Sequence, residues 1–146
     1  MDAIIFDLDH TLFAGEGLLH DGVADLLAIV RRLGIKVAGL SSADHRVLVR
    51  LDEAGIREFF DHILCAEQTL IPKHSGGVYH LLSMMQAAPE HTALVSHAHA
   101  DILLSKDAGL AKAIGVSHGS LNAGPLHEAG ADHVVENVPA VLDVLQ

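Results

Sequence analysis

No apolar run in this chain approaches the roughly 20 residues that a membrane-crossing helix needs, although half its residues are apolar and its mean hydropathy is +0.36. Cysteine is nearly absent. The one residue present, Cys65, excludes an internal disulfide and fits a reducing compartment. It falls at the end of an expected strand, where an inert core thiol is the expected role. Basic residues are also scarce, 9 against 19 acidic ones, for a net charge of −10. That balance argues against sequence-independent binding to nucleic acid. The first apolar stretch carries Asp2 and no basic segment ahead of it, so a signal peptide is not expected and the cytoplasm is the expected address. No Pro/Ser linker, low-complexity segment or internal repeat interrupts the 146 residues, enough for one domain with a sizeable core.

What the chain does have is a rhythm of short apolar runs and amphipathic segments. Ala3–Phe6 is aliphatic and bounded by charge, as in a strand buried on both faces. A Gly-containing loop over 12–20 follows; Gly15-Glu16-Gly17 is too short for a phosphate cradle. Val23, Leu26, Leu27, Val30 and Leu33 share one face of a helix over 22–33 that Gly34 stops. A strand over 35–40 ends at Ser41-Ser42, and Asp44 caps a helix with Val47, Leu48, Leu51 and Ala54 inward. A strand over 62–66 leads to Lys73 and a helix carrying Val78, Leu81, Leu82 and Met85, which stops before Pro89. Strands over 92–96, 113–117 and 133–135 alternate with a helix over 100–108. A last helix opens with Asn137 as cap and Pro139 in its first turn. The pattern predicts an α/β fold, a three-layer α/β/α Rossmann-like parallel sheet of about five or six strands with the first strand central.

In such sheets ligands sit at the carboxyl ends of the strands. The first strand ends in Asp7-Leu8-Asp9-His10-Thr11. Alternation along a strand would aim Asp7 and Asp9 to one side with Thr11 beyond them. Two carboxylates and a hydroxyl at a strand tip can hold a divalent cation and attack phosphorus, because buried unpaired charge is otherwise costly. The same residues also read as a strand closed by an Asx-type turn, and the pentapeptide by itself leaves both readings open. The other strand ends add Ser41, Lys73 and the loop 96–101. A carboxylate, a hydroxyl and an amine are what phosphoryl transfer from a monoester requires.

On these residues the chain resembles the haloacid dehalogenase (HAD) superfamily of aspartate-nucleophile phosphatases, from Ile4 to Leu145, and over 89–119 its phosphoglycolate-phosphatase branch. Asp7-Leu8-Asp9-His10-Thr11 is similar to the first motif of that family. Val37-Ala38-Gly39-Leu40-Ser41 is similar to the second, Lys73 to the third, and Ser96-His97-Ala98-His99-Ala100-Asp101 to the fourth. The resemblance implies a HAD-type core as a single domain over 1–146, acting as a phosphomonoesterase through a phospho-aspartyl intermediate. It implies Asp7 as nucleophile, Asp9 as general acid/base and Lys73 as the amine that holds the phosphate. Thr11, Ser41 and Ser42 join Lys73 around the substrate, a small phosphorylated metabolite or a phosphorylated macromolecule. The metal, Mg2+, would be held by Asp7, Asp9, His97 and Asp101.

Two departures from the family pattern bear on function. Its fourth motif begins Gly-Asp, where this chain has Ser96-His97. Imidazole is a poor magnesium ligand, so Mn2+ or another softer divalent ion is the alternative, and a degenerate HAD-fold protein that binds a phosphorylated ligand or protein partner is the alternative function. No cap domain fits between the motifs. The open site then either takes a bulky partner or is closed by self-association as a homo-oligomer. His10, His45, His74, His97 and His99 are expected near the site, whereas His20, His62, His80, His91, His127 and His133 read as surface or satisfied core residues. A receiver-type signalling domain would need a phosphoacceptor at the third strand's end, where the chain offers Cys65-Ala66-Glu67.

Overall fold

β1 (Ala3–Asp7) is buried at every position because parallel neighbours flank it on both sides. Those neighbours are β2 (Lys36–Leu40) and β4 (Thr92–Ser96). The computed structural model describes residues 1–15, 17–65 and 76–145, so Lys73 and His74 lie outside the described residues. With β3 (His62–Leu64), β5 (Lys112–Val116) and β6 (His133–Val135), the strands form a six-stranded parallel sheet in the order β3-β2-β1-β4-β5-β6. The chain runs outward from β1 to β3, returns to the middle for β4 and runs outward again. That reversal leaves a crevice beyond the carboxyl ends of β1 and β4, the usual ligand position in such sheets.

Helices cover both faces, as the alternation of side chains along β1 requires. Ile4 and Phe6 face α1 (Val23–Arg32), α2 (Arg46–Glu53) and a C-terminal 3-10 segment over Pro139–Val144. Ala3 and Ile5 face α3 (Val78–Met85), whose Val78, Leu81, Leu82 and Met85 are all buried. On the same side, α4 (His99–Asp107) and α5 (Ala123–Glu128) bring Ile102 and Leu126 onto Ala113. Gly39 lies close under Leu8: a side chain there would meet the Leu8 methyls at about 3.1 Å, so Leu8 would have to shift by a few tenths of an ångström.

Three sequence expectations change. Leu33 is 57% exposed, because the helix ends one residue earlier and Gly34, at φ 78°, turns the chain away. The last helix is 3-10 rather than α, although Asn137 Oδ1 does accept the Ala140 N–H at 2.9 Å. α5 was not expected at all; its start, Ala123-Gly124-Pro125, holds two poor helix formers, and packing of Leu126 overrides them.

Candidate active site

The chain leaves β1 by turning rather than by extending. After Leu8 the backbone closes onto itself, with the Leu12 and Phe13 N–H groups on the Leu8 carbonyl and His10 at φ 61°. Thr11 therefore returns to Asp7 from four residues on and donates to its Oδ2 at 2.8 Å. The expected extended alternation of Asp7, Asp9 and Thr11 is replaced by this turn, which sends the two carboxylates to different partners.

Asp7, only 2% exposed, belongs with the β4 loop. His97 Nδ1 lies 3.1 Å from Asp7 Oδ2 and 3.0 Å from Thr11 Oγ1. The His97 backbone N–H also donates to Thr11 Oγ1, at 3.0 Å. A carboxylate only accepts, so the contact with Asp7 requires the imidazole proton on Nδ1. Ser96 Oγ lies 2.7 Å from Asp101 Oδ2 and 3.2 Å from Asp7 Oδ2, one hydroxyl proton facing two carboxylates. Asp101 is itself buried in the first turn of α4.

Asp9 belongs with β2 and α2. Ser41, buried at the end of β2, donates to Asp9 Oδ2, and the Ala43 N–H donates to Ser41 Oγ at 3.0 Å. Arg50 Nη2 donates to Asp9 Oδ1 at 2.8 Å. Ser42 is exposed, one residue beyond this network.

The structure thus brings Asp7, Thr11, Ser96, His97 and Asp101 together, with Asp9 and Ser41 on the adjoining side. Of the histidines, His10 meets His97 edge-on at 5.7 Å between ring centroids, while His45 and His99 are exposed. His20 is no bland surface residue: it stacks on His118 at 3.8 Å. His118 Nε2 in turn lies 3.1 Å from the His10 carbonyl. Burial holds both His118 and His20 below the ordinary imidazole value, His118 also through the neighbouring His20. Sequence reasoning missed Arg50, His118 and Asn122, whose side-chain amide donates to the His97 carbonyl at 3.0 Å. Arg50 alone left a signal, as the second of two arginines spaced four apart just after the Ser41 loop.

These residues do not fit magnesium in this arrangement. Magnesium needs oxygen ligands at about 2.0–2.1 Å in near-octahedral array. The groups that meet Asp7 Oδ2 are a hydroxyl, an imidazole nitrogen and a second hydroxyl rather than further carboxylate oxygens. Among the described residues, no group of three or more His, Cys, Asp or Glu side chains is placed to hold a metal ion. None of their helices is long and apolar enough to cross a membrane.

The haloacid dehalogenase-like hydrolase family matches residues 11–109 of this sequence. No curated protein matches it. Among solved structures, a candidate beta-phosphoglucomutase from Thermotoga maritima superposes with a TM-score of 0.87 at 21% identity, over 99% of this chain and 98% of the other. A haloacid dehalogenase-like family hydrolase from Streptococcus pneumoniae gives 0.83 at 18% identity over 100% and 99%. A candidate phosphoglycolate phosphatase from Haemophilus somnus gives 0.78 at 19% over 88% of this chain but 57% of its own. At these identities the likeness is one of fold. Between β1 and β2 this chain has room for one loop and α1 only, so no cap domain enters there.

Proposed function

Because this chain belongs to the haloacid dehalogenase-like hydrolases, we propose that it hydrolyses phosphomonoesters with Asp7 as nucleophile, slowly, because the β4 loop has closed on that carboxylate. One observation carries the reading: a carboxylate 2% exposed at the tip of the central strand, held in a single orientation by Thr11 and His97. Burying a charged group there is costly unless the site uses it.

The chemistry follows from positions. An Asp7 oxygen attacks phosphorus, the bond to the ester oxygen breaks, and Asp9 in its protonated form gives that oxygen its proton. Water then opens the acyl phosphate while Asp9 takes a proton from it. Thr11 and Ser41, whose hydroxyls hold Asp7 and Asp9, turn them to the phosphate when it binds, and Lys73 joins them by resemblance. The donors on Asp7 fix its aim but also drain charge from the attacking oxygen, which slows the first step.

The same closure favours a second reading, a phosphate-binding protein with little turnover. Turnover of an aryl phosphate after chelation, and again with added magnesium, separates the two. Hydrolysis with a hydroxylamine-sensitive phosphoenzyme supports the first reading. Binding of inorganic phosphate with no detectable hydrolysis under either condition overturns it in favour of the second.

A further inference from the structure

A phosphate dianion placed beside Asp7 and Asp9 needs positive charge, and on the β2 side the structure supplies a guanidinium. Arg50 is built in from three directions. Its Nη2 meets Asp9 Oδ1 at 2.8 Å, its Cζ stands 5.3 Å from the centroid of the Phe13 ring, and its stem runs past Gly17, where a side chain would lie 3.6 Å from its Cδ. Arg46, one turn earlier on the same helix, provides the contrast. Its side chain is 81% exposed and is committed to Asp44, which it holds down to about pKa 2. Arg50 is 30% exposed, and what remains open lines a shallow cavity of about 390 Å3 with Ala43, Asp44, Arg46 and Val47. Ala43 also holds Ser41 Oγ, and Ser41 holds Asp9. Ser41, Asp9 and Arg50 therefore form one hydrogen-bonded chain, of which Arg50 reaches this cavity.

An exposed ion pair of ordinary geometry contributes little and explains nothing about function. A guanidinium held by a carboxylate, a ring and a stem contact is different. It has five N–H donors in a planar fork that matches phosphate oxygens, and Asp9 takes one of them. We infer that Arg50 is, among the described residues, a resident cation of this site, offsetting Asp9 and binding the phosphate directly, so that anion binding does not wait on a divalent ion. The inference rests on the reading that the site accepts phosphate, but not on hydrolysis.

Binding of inorganic phosphate in the presence of a chelator, followed by calorimetry or phosphorus NMR, tests it without reference to turnover. The wild-type chain binds phosphate under these conditions. Arg50→Ala weakens binding by about tenfold or more, the scale of a lost hydrogen bond to a charged group. Arg50→Lys, which keeps stem and charge but not the fork, recovers part of it and guards against simple misfolding of the alanine variant. Arg57→Ala, at a guanidinium paired with Asp52 and outside this cavity, binds as the wild type does. The inference is overturned if wild-type binding requires added magnesium, if Arg50→Ala binds unchanged, or if Arg57→Ala loses as much. Loss of turnover in Asp7→Asn with phosphate binding intact leaves it standing; the absence of turnover in the wild type sinks the phosphatase reading alone.

Discussion

The two flanks of Asp7 are built differently. On the β2 side, the Asp9 carboxylate accepts from the Ser41 hydroxyl and from the Arg50 guanidinium. On the β4 side, Ser96 and His97 bond to Asp7 itself, and Ser96 links it to Asp101. The difference lies in charge. Three carboxylates around one point repel and stay apart unless a cation lies among them. Here an imidazole N–H lies against one carboxylate and the Ser96 hydroxyl bridges it to the other, so donors rather than a third carboxylate face Asp7. The β2 flank keeps its own positive charge and has no reason to collapse.

The largest effect is expected where both flanks meet. Asp7→Asn keeps the shape and removes the attacking charge, and turnover of an aryl phosphate should fall by about 10⁴-fold or more. Near wild-type rates in this variant would mean a different nucleophile. Next comes a direct contest between flanks. Asp9→Asn should cost ~10²–10⁴-fold, the usual value of general acid/base help. Asp101→Asn, which alters the carboxylate that Ser96 bonds, should cost about tenfold at most. If the two costs are reversed, the catalytic burden lies on the β4 side and the contrast is mistaken.

Ser96→Gly with His97→Asp should open the β4 flank by restoring repulsion and removing the bridging hydroxyl. Magnesium-dependent turnover should then rise by about 10–100-fold over the wild type, the range over which altered ligand surroundings act. The comparison is made after stripping adventitious metal. Robust magnesium-dependent turnover in the wild type, unchanged in the double variant, would show that the closure is no obstacle.

Most of the fold was legible because its signals are local. Strand runs such as Ala3–Phe6 and Thr92–Ser96, and the helix faces at Val23–Val30 and Val78–Met85, obey simple periodicities that burial then enforces. Motif spacing also named side chains that the structure brings together, Asp7, Thr11, His97 and Asp101 in one cluster with Asp9 and Ser41 beside it. What could not be read was who bonds to whom. Thr11 reaches Asp7 through a turn that depends on His10 adopting φ 61°. Arg50 reaches Asp9 across 41 residues, and Asn122 reaches His97 across 25. Such partners come from tertiary packing, which no window along the chain contains.

The smallest effect concerns the opposite end of the same strands, where the two flanks are alike. Asp61, just before β3, accepts the Val37 N–H at 2.9 Å, returns its own N–H to the Val37 carbonyl at 2.8 Å and pairs with Arg31. Asp132, just before β6, does the same with Ala113, at 2.7 Å and 2.8 Å, and pairs with Lys106. Burial pushes both carboxyls up, but the strand N–H and the neighbouring cation outweigh it, and each ends below its ordinary value of 3.8. A lowered carboxyl stabilises the fold above that ordinary value, and its contribution is lost as pH falls through the lowered one. Asp61→Asn and Asp132→Asn keep an acceptor for the strand N–H and lose only a partly exposed ion pair. Each should therefore cost under about 1 kcal/mol at neutral pH. Each should also remove a similar share of the stability lost between neutral pH and about pH 3, and the two should add, since they lie at opposite edges of the sheet. Urea unfolding at both pH values measures this. If one variant removes most of the acid sensitivity and the other none, the two ends of the sheet are not equivalent pins, and the asymmetry of the molecule extends beyond its active site.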